Sequence, residues 1–335
     1  NIKNSYKLLS KVAQSDVEFV FPYRQETIEV LRWAATQHPS WKFKYYLGLN
    51  YQAINEPDSS SALFISLGNI PDSSIFYLTR AALLKASDKI NITADLERAY
   101  SLDKANWRVI HALLTHYINT GELEKALNVS TTANEQLASN QNIALIHAKL
   151  LILNKRHTKA IALLKNINVL PAEHAYESRE LYEAAHLFLA IEKTNDKSYD
   201  AAINLILQSM EWPENLGVGK PYEFDKRKQW VLLAVAYEKT NEVIKSKALK
   251  EKLTTSTFFH DKKVTETDLL SLSEIRAQGR SENAFNWLSA QTSKQVDWIQ
   301  SMFENRHSST VDSDHNITLA GFKKDLVLQI YNLLN

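Results

Sequence analysis

The feature that most constrains this chain is an internal spacing of 34 residues between small and bulky apolar positions. Leu113, Tyr117, Gly121, Ala126 and Ala133 mark one unit, and moving Tyr117, Ala126 and Ala133 on by 34 lands on Leu151, Ala160 and Ile167. The segments 107–140 and 141–174 therefore run in phase without a gap, which a single motif would not do. Gly279 and Ala284 repeat the five-residue spacing of Gly121 and Ala126. A period of this length describes a helical hairpin that cannot bury its apolar face alone and must stack on its neighbours. Gly or Ala at the helix crossing lets two backbones approach, and bulky residues on either side fill the gaps. No strand-period alternation persists over more than a few residues.

A second stretch carries the same grammar. Leu47-Gly48-x2-Tyr51, with Phe64 beyond it and Pro71 near its end, resembles the tetratricopeptide pattern W-x2-L-G-x2-Y, small Ala, aromatic, Ala, Pro. The resemblance implies an all-α, right-handed superhelical solenoid of about seven hairpins of this type. Residues 1–40 read as N-terminal capping helices and 41–252 as the repeat array, with an inserted loop at about 213–226. Residues 253–335 read as degenerate repeats and a capping helix. Residues 95–103 and 199–213 read as second helices, and Leu233 to Tyr237 as part of a first helix. The polar stretches 55–61 and 305–316 read as loops. Tyr51, Tyr117 and Tyr237 fall at core positions of the repeat. Lys42, Tyr45, Arg108, His111 and Lys149 fall on first-helix faces that would line a concave groove. Each alone reads as a solvated residue, and together they are the candidate partner-binding groove.

Composition narrows the function. Apolar residues make up 44% and charged residues 23% of the chain, too apolar for disorder. Seven glycines and seven prolines are too few for the many tight turns of a sandwich, barrel or doubly wound sheet. Lys and Arg number 39 against 38 Asp and Glu, a net charge of +1 that provides no field for steering onto nucleic acid. The absence of cysteine excludes disulfides, iron–sulfur clusters and thiol catalysis, and suits an exported bacterial protein. The longest apolar run, Trp230 to Tyr237, is far short of a membrane span. The chain opens at Asn1 without a leader and reads as a processed protein or an excised fragment, its compartment undetermined.

Two runs are more distinctive. Trp212-Pro213-Glu214-Asn215-Leu216-Gly217-Val218-Gly219-Lys220-Pro221-Tyr222 is one; Phe21-Pro22-Tyr23-Arg24, continuing through Trp33-Ala34 to Trp41-Lys42 and Tyr45 to Gly48, is the other. Together they resemble the C-terminal repeat region of bacterial proteins whose N-terminal domain of unknown function is the family numbered 5107. The resemblance spans about residues 20–250. It implies a possible partner, an upstream β-sandwich-like domain of the same polypeptide, and carries over no activity.

Candidate sites are sparse. Gly217, Gly219 and Lys220 superficially resemble a phosphate cradle, but the spacing is wrong and Pro221 stands where a hydroxyl would bind magnesium. An inter-helix loop is the simpler reading, with Trp212, Pro213, Glu214, Asn215, Gly217, Gly219 and Lys220 as a candidate contact loop. His307, Asp312, Asp314 and His315 lie close together in a Ser- and Asn-rich stretch that does not preorganise a metal site. H-E-x-x-H, G-x-S-x-G and G-x-G-x-x-G motifs are absent, so we assign no catalytic, cofactor-binding or metal-ligating residue. The leading expectation is a non-enzymatic scaffold that binds a protein or peptide. The alternatives are an (α/α) barrel acting on carbohydrate and an RNA-binding helical repeat.

Overall fold

The computed structural model describes residues 2–83, 89–173, 175–255, 264–291, 294–303 and 319–334. Among them are eighteen α-helices, one 3-10 turn and no strand. The chain divides into two compact units, Asn1–His116 and Tyr117–Asn335.

The first unit contains α1 (Ile2–Gln14), α2 (Thr27–Gln37), α3 (Trp41–Ala53), α4 (Pro57–Ser66), α5 (Ser74–Leu83) and α6 (Lys89–Leu102). Helix α7 (Trp107–Asn119) carries the division. Helix α3 packs on α2 and α4, and α5 packs on α4 and α6. Pro57 at the first turn starts α4 inside the stretch read as a loop, because a missing N–H costs nothing there. Residues 57–61 are therefore helical, a correction to the sequence reading. An aromatic cluster holds this unit together: Tyr45, Phe64 and Phe76 lie edge-on, tilted or stacked within 6.0 Å of one another. Arg80 clamps α5 to α6 through a two-point pair with Asp95, at 2.8 and 2.6 Å, and also donates to Gly68 O.

Gly48 shows why the repeat needs a small residue. A Cβ there would sit 2.4 Å from the Phe64 ring, which is itself stacked on Phe76. Gly48→Ala should destabilise the protein by about 1–3 kcal/mol, read by chemical denaturation, because the ring has no room to withdraw. An unchanged midpoint would contradict this packing.

The second unit holds α8 (Leu123–Gln136), α9 (Gln141–Leu153), α10 (His157–Asn166), α11 (Glu177–Asn195) and α12 (Tyr199–Gln208). It continues with α13 (Arg227–Lys239), α14 (Val243–Thr255), α15 (Asp268–Ala277), α16 (Ser281–Ser289), α17 (Lys294–Phe303) and α18 (Leu319–Asn332). Sequence-adjacent helices pack from α8 through α16. Helices α9 and α10 start 34 residues after α7 and α8, as the repeat phase requires. Ala126, Ala160, Ala202 and Ala284 are fully buried near the starts of the second helices.

One turn recurs throughout. Asn55, Gly121, Lys155, Lys197, Asn241 and Gly279 all have φ between 56° and 78°, and each lies two residues past the end of a first helix. The following residue donates its N–H to a carbonyl five positions back, as Glu56 does to Tyr51 and Arg156 to Leu151. This left-handed stop closes the first helix and aims the second back along it. The repeated hairpins and the recurring turn define an all-α helical-repeat fold of the tetratricopeptide type.

Candidate functional site

In the first unit, Lys42, Tyr45 and Arg108 of the groove residues named from sequence lead to a single feature. The segment between α1 and α2 runs over the starts of α3 and α7. The Lys42 ammonium donates to Ser15 O, and Tyr46 Oη lies 3.5 Å from Asp16 O. Val17 is only 3% exposed and belongs to the same core cluster as Tyr45, Tyr46 and Val109. The Arg108 guanidinium lies 5.8 Å from the Phe19 ring and 4.8 Å from the Trp107 ring. Arg108 is exposed and makes no ion pair among the described residues.

This arrangement corrects the assignment of Tyr45. Its phase places it on an open face, but it is 1% exposed, packed against Trp41, Phe64 and Phe76, with its hydroxyl 3.4 Å from that of Thr79. Burial raises its phenol pKa, and the Thr79 hydrogen bond only partly offsets this. Helix α3 buries Phe43, Tyr45, Tyr46, Leu47, Gly48 and Asn50, positions that run round most of its circumference. His111 is exposed, and Lys149 is half-buried in the second unit. Tyr117 is buried as expected, but Tyr51 and Tyr237 are half-buried; Tyr51 Oη accepts from Arg32 at 2.8 and 3.0 Å.

Three first helices of the second unit are covered too. Helix α18 packs on α11, α13 and α15, each the first helix of its hairpin. It presents buried Phe322, Leu326, Val327 and Ile330, with Phe322 5.4 Å from Phe188 and Lys323 paired to Glu180 at 2.6 Å.

The loop that follows α12 is anchored at its first half. Asn215 Nδ2 donates to Leu164 O and Ile167 O at the end of α10, at 3.0 and 2.7 Å, and Asn215 O accepts from Val169 N–H. These bonds satisfy helix-end carbonyls that would otherwise lack partners. Glu214 is exposed within the 3-10 turn Glu214–Leu216, which Pro213 precedes and which buries Leu216, whose carbonyl accepts from Ser178 Oγ. Trp212 stacks on the Arg179 guanidinium at 4.5 Å and meets Phe224 edge-on. Gly219, Lys220 and Tyr222 are exposed. Gly217 has a positive φ. No partner of Asn215 could be read from sequence, since the carbonyls it caps lie 48 and 51 residues away.

Beside this loop, Arg179 donates to Ser209 O at 2.6 Å, and Gln229 donates to Glu183 at 2.6 Å. Arg179 Nε, His186 Nε2, Trp212 Nε1 and Gln229 Oε1 are buried there without a hydrogen-bond partner. His186 Nδ1 donates to Tyr182 O, so Nε2 is unprotonated, and burial lowers the ring pKa. The histidines give this unit an acid limit. Burial holds His147, bonded to Ser130 at 2.8 Å, at a pKa of about 4; burial and nearby Lys155 hold His157 at about 4. Both fall below the ordinary 6.5, so the unfolded chain binds more protons between those values and stability drops as pH falls from 6.5 towards 4. The half-exposed Glu192 carboxylate, 3.6 Å from His157 Nδ1, recovers little of this. Each ring should withdraw on the order of 3 kcal/mol across that window, seen as a Tm that falls with acidification. A His147→Gln/His157→Gln variant should lose most of this slope; an unchanged slope would contradict it.

Groups of three or more His, Asp or Glu able to hold a metal do not occur among the described residues, and His307, Asp312, Asp314 and His315 lie outside them. No helix among the described residues is long and apolar enough to cross a membrane.

No family model matches the chain, including the family numbered 5107, and no curated protein matches it. Among solved structures it is similar to a tetratricopeptide repeat protein from Parabacteroides merdae, at 15% identity, TM-score 0.48, over 80% of this chain and 100% of that one. It is also similar to PilW, a type IV pilus biogenesis factor, at 11% identity, TM-score 0.36, over 67% of this chain and 96% of that one.

Proposed function

We propose that the chain is a non-enzymatic scaffold that binds a peptide segment of a partner protein on the first-helix face of its N-terminal unit, formed by Lys42, Tyr46, Trp107 and Arg108. The observation that carries this reading is Arg108: an exposed guanidinium held between two aromatic rings, with its N–H donors directed to no carboxylate among the described residues. Such a cation is preorganised for recognition and loses little freedom on binding. Phe19 on Arg108, and Phe21 and Tyr23 shortly after it in the chain, are 65–73% exposed, the aromatic composition that favours interfaces. The second unit offers less, because α18 already lies on α11, α13 and α15, three of its first helices. An upstream domain of the same polypeptide remains one source of such a segment.

A display library of random peptides, selected against the full chain, tests the reading. Selected peptides should lose about tenfold or more in affinity on Arg108→Glu, a change of roughly 1.4 kcal/mol or more. They should be indifferent to Lys125→Glu, at an exposed position of α8 in the other unit. Full affinity in the Arg108→Glu protein would remove this face from consideration.

A further inference from the structure

The face proposed for a partner is already occupied by the chain itself. We propose that residues 15–19 are a built-in pseudo-ligand: they hold the site in the free protein, and a partner binds by displacing them with a non-helical segment of the same chemistry. This inference rests on the binding face above and adds both its regulation and the class of ligand.

The contacts define that class. Two successive backbone carbonyls, of Ser15 and Asp16, face Lys42 and Tyr46. One β-branched side chain, Val17, fills the core beside Tyr45 and Tyr46, and an aromatic ring two positions later lies on Arg108. A competing ligand therefore needs a non-helical backbone that turns as residues 17–20 do, with a branched apolar residue followed, two positions on, by an aromatic one. Backbone carbonyls supply orientation, and the apolar and aromatic side chains supply specificity.

The segment is built to let go. It is not helical, and a short turn from Val17 to Val20 closes on a 3.4 Å hydrogen bond. Phe19 occupies the third position of that turn at φ 59°, where glycine or asparagine is usual and a bulky residue is strained. It is 73% exposed, so no core packing explains its presence. Its ring lies against the Arg108 guanidinium, the same group that would meet an incoming aromatic residue. Strained residues of this kind persist where the surroundings hold them and mark switch points. The following residues, Val20, Phe21 and Tyr23, are also exposed, so they give the segment no further anchorage on the face.

A tethered competitor lowers the apparent affinity of any partner by the fraction of molecules in which the face is open. The test uses the full chain and a fluorescent synthetic peptide with the sequence of residues 13–24, read by anisotropy. The peptide should bind a Val17→Ser/Phe19→Ser protein about tenfold or more tightly than wild type, because that protein no longer fills its own site. Adding Lys42→Ala and Arg108→Glu to that protein should abolish the gain. Phe19→Gly, at an exposed position that glycine suits, should keep native helical content and melting and give an intermediate affinity; it carries the test if the double variant fails to fold. Equal binding to wild type and Phe19→Gly overturns the proposal, as does no binding to a variant that remains folded. Light scattering during the titration identifies a further contrary outcome, in which copies of the chain pair by exchanging this segment and the face is a self-association surface. A library peptide that needs Arg108 but does not compete with residues 15–19 would leave the binding face standing and remove only the displacement.

Discussion

Gly217→Ala is expected to cost roughly 3–5 kcal/mol of stability, the sum of a backbone clash and a disfavoured conformation. A Cβ at this position would lie 2.4 Å from Val169 O and 3.1 Å from Pro171 N, both main-chain atoms that cannot rotate away. The residue also sits at φ 67°, which alanine adopts only with strain. Moving the loop to relieve the clash would pull Asn215 off the end of α10 and break the bonds to Leu164 O and Ile167 O. Gly219→Ala, two residues on, meets open space and should change stability by less than about 0.5 kcal/mol. Denaturant midpoints of the two variants decide the matter. Equal midpoints would mean that the loop is not the brace described here.

The second large effect is expected at Arg227, which is 1% exposed. Its guanidinium pairs with Asp225 at 2.7 Å and with Asp268 at 2.5 Å, joining the start of α13 to the start of α15. Asp268 is itself buried, and its N-terminal position also lets it accept from Thr265 N–H at 2.7 Å. Arg227→Met would leave that carboxylate without its cation and should cost about 3–5 kcal/mol at pH 7. Burial already holds the Asp268 carboxyl above the usual range despite Arg227, and losing the cation raises it further. The folded variant then binds its proton more tightly than the unfolded chain, so its deficit should shrink as pH falls. Adding Asp268→Asn should recover part of the loss at pH 7. A deficit independent of pH, with no recovery in the double variant, would show that the ion pair is not its source.

The sequence revealed the hairpin spacing because packing demands it: the Ala positions near the starts of the second helices are buried wherever the backbones cross. It revealed only part of the turn. Gly121 and Gly279 are glycines where the left-handed residue falls, but Lys155 and Lys197 adopt the same conformation, and nothing in their identity announces it. Repeat phase puts Tyr45 on an open face, where it is not, for a related reason. Repeat phase reports which side of α3 faces away from its own hairpin, but not what else in the chain comes to lie there. Residues 15–19 obey no repeat, so their position over Lys42, Tyr46 and Arg108 left no periodic trace. Helix α18 covers α11, α13 and α15 of the other unit from beyond the array in the same way. Of the groove residues inferred from sequence, Lys42 and Arg108 meet at one segment, and the signal that could have joined them was the run of apolar and aromatic residues from Val17 to Tyr23.

Amide hydrogen exchange on the full chain, with and without a peptide selected for binding, tests the central claim most directly. If residues 15–19 are displaced by a partner, their amides should exchange faster in the complex while the starts of α3 and α7 remain protected. Unchanged or slower exchange at residues 15–19 in a saturated complex would contradict the account, because the partner would then be bound without taking the place of the chain's own segment.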